Sequence, residues 1–135
     1  LKIVIDGKPM GKQRPRFNTK TGKAYTAGKT VNYENWVRLC YQQQCAGEKL
    51  TGEIVAFINA YYTIPKSTSK KNKKDMLTGN IRPTIKPDVD NIAKVILDSL
   101  NGLAYKDDKQ IVFCTISKWY GENARVEVIL EEDTR

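Results

Sequence analysis

Histidine is absent from all 135 residues. That one absence excludes Ser-His-Asp triads, Cys-His pairs, histidine-dependent nucleases and most zinc sites. Any catalysis falls to carboxylates, lysine, tyrosine or a bound metal. Cysteine is scarce too. Cys40, Cys45 and Cys114 are an odd number without CxxC spacing, which argues for reduced core thiols in a cytoplasmic protein rather than a disulfide framework. Cys40 and Cys45 lie five apart in a predicted helix, so they point to different faces. No apolar run approaches the ~20 residues of a membrane span, and the opening LKIVID alternates like a strand, without the charged head and apolar body of a signal peptide.

What the chain has in excess is positive charge. Twenty-three Lys and Arg against fifteen Asp and Glu leave a net charge of +8, which points to an anionic partner, with nucleic acid the usual candidate. Forty per cent hydrophobic residues suffice for one domain, 1–135, with a real core.

The cations fall in two places. After the predicted strand LKIVID and a turn at Gly7, a basic loop or irregular hairpin runs over 7–29, with Gly22 at its tip. Lys12, Arg14, Arg16, Lys20 and Lys23 alternate closely enough for several to share one side. A lysine-rich arm at 66–80 follows the predicted strand 53–64 and carries Lys66, Lys70, Lys71, Lys73 and Lys74. It reads either as a solvated loop or as a segment that orders on the phosphates of DNA. Between these regions a helix is predicted over 31–46, with Thr30 as N-cap, Gly47 as stop and Trp36 in the core. QIVFCTISKWY and RVEVILEE read as two strands joined in a hairpin across Gly121-Glu122-Asn123. The order of elements predicts an α+β fold, a single small domain whose mixed β-sheet is backed by helices.

Against this basic background, KPDVDNIAKVILDSLNGLAYKDD (Lys86 to Asp108) gathers five of the fifteen acidic residues: Asp88, Asp90, Asp98, Asp107 and Asp108. Val89, Ile92, Ala93, Ile96, Leu100 and Leu103 form a helical stripe that Asn101-Gly102 ends. Asp90, Lys94 and Asp98 lie along the other side. Asp88 and Asp90 share a side only if extended backbone, favoured around Pro87, reaches the DxD. The helix is therefore predicted to start there, with one aspartate doubling as N-cap. Asp107-Asp108, in a turn, can fold back to complete a cluster. Two carboxylates ~5 Å apart repel by roughly 3 kcal/mol at an effective dielectric near 20, a sign that a divalent cation reverses. An all-oxygen donor set favours Mg²⁺ or Mn²⁺ over zinc. The same spacing is also compatible with a helix cap, an Asp90–Lys94 pair and ordinary turn residues.

Taken together, Asp88, Asp90, Asn91, Lys94, Asp98, Asp107, Asp108 and Gln110 resemble the signature of the RusA family of Holliday junction resolvases: DxDNxxK, an aspartate four residues on, then DD with Gln two residues later. GKPMGKQRPRF and AYTAGKTVNYENWV also look like its Gram-positive and phage branch, so the resemblance spans almost the whole chain. It implies a homodimeric α+β endodeoxyribonuclease that binds branched DNA (four-way junctions) and makes paired nicks with Mg²⁺ or Mn²⁺. It further implies Asp88, Asp90 and Asp108 as essential metal-binding carboxylates, Asp107 as a neighbouring acid, and Lys94 as the essential lysine. The basic loop and the lysine arm match regions of variable sequence. A basic DNA-binding module with merely structural acids, and a metal nuclease for RNA or flaps, are the rival readings.

Overall fold

The alternation in LKIVID becomes strand β1 (Lys2–Asp6), with Ile3 and Ile5 fully buried. Gly7 follows at φ +113, in the region that favours glycine. The computed structural model describes every residue except 13–15, 18–19, 26–27 and 135, and for 16–17 and 24–25 the backbone alone. Within the basic loop, Arg16–Phe17 (β2) and Ala24–Tyr25 (β3) pair antiparallel. Helix α1 covers Gly28–Cys45. Thr30 therefore lies inside it and is buried, not at its cap. The stripe Thr30, Tyr33, Glu34, Val37, Cys40 and Tyr41 faces inward at three- and four-residue steps.

Trp36 falls off that stripe. It is 39% exposed, and its indole N–H donates to the Asp6 carbonyl at 2.8 Å, so it belongs to the surface rather than the core. Cys40 and Cys45 are buried thiols, as read from the sequence, whereas Cys114 is exposed.

Strand β4 (Ile54–Thr63) buries Ile54, Ala56, Ile58, Ala60 and Tyr62 on one face. Helix α2 (Lys70–Leu77) comes next, then α3 (Val89–Leu100), a single 3₁₀ turn (Asp108–Gln110), β5 (Ile111–Gly121) and β6 (Arg125–Glu132). The sheet is mixed, in the order β1-β6-β4-β5, which makes this an α+β domain. No helix among the described residues is long and apolar enough to cross a membrane.

The predicted β5–β6 hairpin does not form. β4 lies between the two, parallel to β5 and antiparallel to β6. Three connecting residues are enough to cross two strand spacings of ~4.8 Å, and β4, buried at every second residue, takes the central place. Gly121 sits at the crossing, where an added Cβ would come 3.4 Å from the Tyr61 ring.

The lysine arm also departs from a solvated loop. Ser69 caps α2 by accepting from the Asn72 N–H at 3.2 Å, and lysine is a good helix former. Behind the helix, Gly79 takes φ +85 and the chain returns along β5. Along the N-terminal half of that strand Val112, Phe113 and Cys114 are exposed.

Candidate active site

The site is assembled where three loops meet helix α3. Pro87, joined to Lys86 by a cis peptide, leads into Asp88, whose backbone is extended (φ −66, ψ 153) and occupies the N-cap position. The helix does start at the DxD. Yet the Asp88 side chain makes no capping hydrogen bond; only its carbonyl engages the helix, accepting from the Ile92 N–H at 3.1 Å. Its carboxylate is left exposed, as is that of Asp90 in the first turn. Both gain from the positive end of the helix dipole.

The loop after β1 packs on this turn. The Lys12 N–H donates to the Asn91 carbonyl at 3.1 Å, and Gly11 approaches so closely that a Cβ there would lie 2.8 Å from Pro87 Cβ and 3.0 Å from Asn91 Cβ. Close approach, not backbone freedom, requires glycine here. Gly11→Ala is expected to cost about 1–3 kcal/mol by overpacking and to displace 86–88. Urea denaturation and cleavage assays on the same preparation would check this. Between loop and helix lies a cleft of ≈ 520 Å³ lined by Lys8, Lys12, Lys86, Asp88 and Asn91, among others. Lys8 and Lys86 were not singled out from sequence, although Lys86 immediately precedes the Pro-Asp step.

Charged side chains form a continuous network further along α3. Lys94 lies 3.4 Å from Asp98, Asp98 3.3 Å from Lys12, and Lys12 3.4 Å from Glu34, which Arg38 approaches at 3.8 Å. Lys94 thus pairs with Asp98 rather than Asp90. Lys12, expected at DNA, is held in internal ion pairs. Arg14 lies outside the described residues, and the side chain of Arg16 is likewise outside them. Lys66, Lys70, Lys71, Lys73 and Lys74 are all exposed.

The second acidic pair has two distinct environments. Asp107 caps the 3₁₀ turn, its Oδ1 accepting from the Lys109 N–H at 3.0 Å, while Gln110 Oε1 accepts from the Asp107 N–H at 3.0 Å. That backbone hydrogen bond holds Asp107 below the usual carboxylate range. Asp108 is pushed up, first by burial, then by its hydrogen bond with Asp107 and by repulsion from Asp107 and Asp98, against the pull of Lys94. The two carboxyls are thus shifted in opposite directions, Asp107 down and Asp108 up. Nearby, the Tyr105 hydroxyl donates to the Leu97 carbonyl at 2.6 Å and is raised mainly by burial, with Asp108 and Asp98 adding.

Asp108 therefore stands within electrostatic reach of Lys94, at the middle of α3, and of Asp98 in its second half. Asp88 and Asp90 stand at its start, and eight residues of helix from Asp90 to Asp98 rise about 12 Å. Among the described residues no three acidic or thiol side chains stand close enough to hold a metal ion. The donor chemistry still fits a hard divalent cation: carboxylates only, one unused by its own cap and another whose ionisation the fold disfavours.

The Asp108 shift has a stability consequence with a definite sign. A raised carboxyl pKa means that the folded state holds the proton more tightly than the unfolded one. Stability is then lost as pH climbs through that raised value. Asp108→Asn, whose amide can still donate to Asp107, is expected to raise Tm at pH 7 in metal-free buffer and to give no gain at pH 3. Thermal denaturation at both values would check it.

Exposed carboxylates at the start of a helix, a lysine on the same helix and a net charge of +8 suit an enzyme that acts on DNA. Residues 6–131 match the family model for endodeoxyribonuclease RusA, and the chain belongs to that family. It is accordingly an endodeoxyribonuclease, with DNA as its partner. An uncharacterized protein of Bacillus subtilis (strain 168), YqaN, is 38% identical over 136 residues, covering 98% of this chain and 96% of that protein.

Proposed function

We propose that the chain is a metal-dependent, structure-selective endonuclease that resolves Holliday junctions by paired symmetric nicks in DNA recombination and repair. The observation that carries this is the uncapped, exposed Asp88–Asp90 pair at the head of α3, within a family match spanning nearly the whole chain. Asp88 and Asp90 at the head of α3, with Asp108 drawn towards them on binding, would hold Mg²⁺, for which Mn²⁺ can substitute, with Asp107 as an accessory ligand; when bound, such a cation lowers the pKa of a water molecule and neutralises phosphate charge. Asp107 is the weakest of the four, because its carboxylate already caps the turn.

Lys94 is the chain's own contribution to charge stabilisation. Its side chain is 62% exposed, and its partner Asp98 retains Lys12, so it is free to meet a phosphate oxygen as negative charge builds. Lys8 and Lys86, lining the cleft at Asp88, hold the flanking phosphates, and the arm lysines extend that contact. In-line displacement leaves 5′-phosphate and 3′-hydroxyl ends. A homodimer places two such sites about a two-fold axis, matching the symmetry of a four-way junction.

Incubation of end-labelled four-way junctions, matched linear duplexes and flaps with protein and Mg²⁺ tests the reading. Symmetric nicks confined to the junction are expected. Equal cutting of duplex, or no cutting with any divalent ion, would overturn it.

A further inference from the structure

We infer that residues 69–86 act as one rigid DNA-docking arm, in which Arg82 and Trp119 are positioning residues. They fix the spacing between phosphates gripped by α2 and the strand presented to Asp88. This rests on the DNA-cleaving reading above.

Helix α2 has four lysines in eight residues, no acidic residue in its first turn and no buried side chain. Lys70 and Lys74 repel across one turn, and Lys70 and Lys71 sit at the unfavourable, positive end of the helix dipole. A docked phosphate backbone relieves both. The helix itself meets the sheet chiefly along β5, and the segment behind it fastens it there. At Gly79 an added Cβ would lie 3.1 Å from Trp119 Cζ3, so the backbone rests directly on the indole. The Arg82 guanidinium lies 3.8 Å over the Trp119 ring, and its Nε donates to the Lys118 carbonyl at 2.9 Å. The Lys118 ammonium donates in turn to the Ile85 carbonyl. Trp119 itself is pinned to the interior strand β4, its indole N–H donating to Asn59 Oδ1 at 2.9 Å.

Ile85 is followed directly by Lys86, Pro87 and Asp88. The lysine helix and the acidic turn are thus the two ends of one segment, fastened at its middle to β5. A charge cluster meant only for loose attraction needs no such fastening. One that must place a particular phosphodiester at a carboxylate does, because displacement by about 1 Å can cost a hundredfold in rate.

The test compares wild type, Trp119→Leu, Trp119→Phe and Arg82→Gln on a labelled four-way junction with Mg²⁺, together with hydrogen exchange of the DNA-free proteins. Trp119→Leu keeps every charge, so the salt dependence of junction binding should match wild type. Its cuts should spread to neighbouring phosphodiesters, its single-turnover rate should fall at least about tenfold, and amides of 70–86 should exchange faster. Trp119→Phe, which keeps a ring under Arg82 but loses the N–H to Asn59, should fall between Trp119→Leu and wild type in register and rate. Wild-type register and rate in Trp119→Leu, or unchanged exchange across the arm, would overturn the inference; so would a salt slope that falls with the rate. If Trp119→Leu does not fold, Arg82→Gln decides by the same exchange and register readouts. Wild-type protein that neither binds nor cuts junctions would instead remove the functional reading, leaving hydrogen exchange to decide the rigidity of the arm.

Discussion

Asp90→Asn is expected to yield a folded, junction-binding protein that cuts about a thousandfold more slowly, the scale on which loss of one group stabilising transition-state charge acts. Asp90 is exposed in the first turn of α3, and its carboxylate makes no hydrogen bond or ion pair among the described residues. Its removal therefore costs the fold little beyond a favourable charge near the helix start, worth about 0.3–1 kcal/mol. Unfolding cannot then account for a large loss of rate. Single-turnover cleavage, read beside a mobility-shift titration in EDTA, separates chemistry from binding. Symmetric nicks persisting at the wild-type rate would remove Asp90 from the catalytic set.

Lys94→Ala carries the second largest effect, a fall of about a hundredfold in cleavage with affinity little changed. The substitution leaves Asp98 paired with Lys12 at 3.3 Å, and an exposed i,i+4 pair contributes only about 0.3–0.5 kcal/mol. A second signature distinguishes a role at the reacting phosphate from mere support. Lys94 pulls the Asp108 pKa down against burial and the neighbouring acids. Without it Asp108 holds its proton to higher pH, so the acidic limb of the pH–rate profile should move upward. An affinity loss in proportion to the rate would make Lys94 a phosphate anchor instead.

Periodicity made the interior legible. The stripe on α3 announced Ile92, Ile96 and Leu100, all fully buried, and the proline before the DxD announced where that helix begins. Pairing order was not legible, because a three-residue connection serves equally for a tight turn and for a step across a neighbouring strand. Trp36 was misplaced because its spacing matches the helical pattern while its indole N–H binds a carbonyl at the surface. The acidic residues were visible one by one, but their different environments were not. What separates Asp107 from Asp108 is a hydrogen bond to a backbone N–H and partial burial against Tyr105 and α3. Likewise the fastening of the lysine helix depends on Trp119, more than forty positions downstream, which no local pattern links to it.

β6 lies between β1 and β4, although it is the last strand of the chain. Until about residue 132 has left the ribosome, the first strand has no hydrogen-bonding neighbour in the main sheet, and the acidic turn rests on a half-built support. A nascent or prematurely terminated polypeptide therefore carries every carboxylate of the site yet lacks the strand that joins β1 to β4.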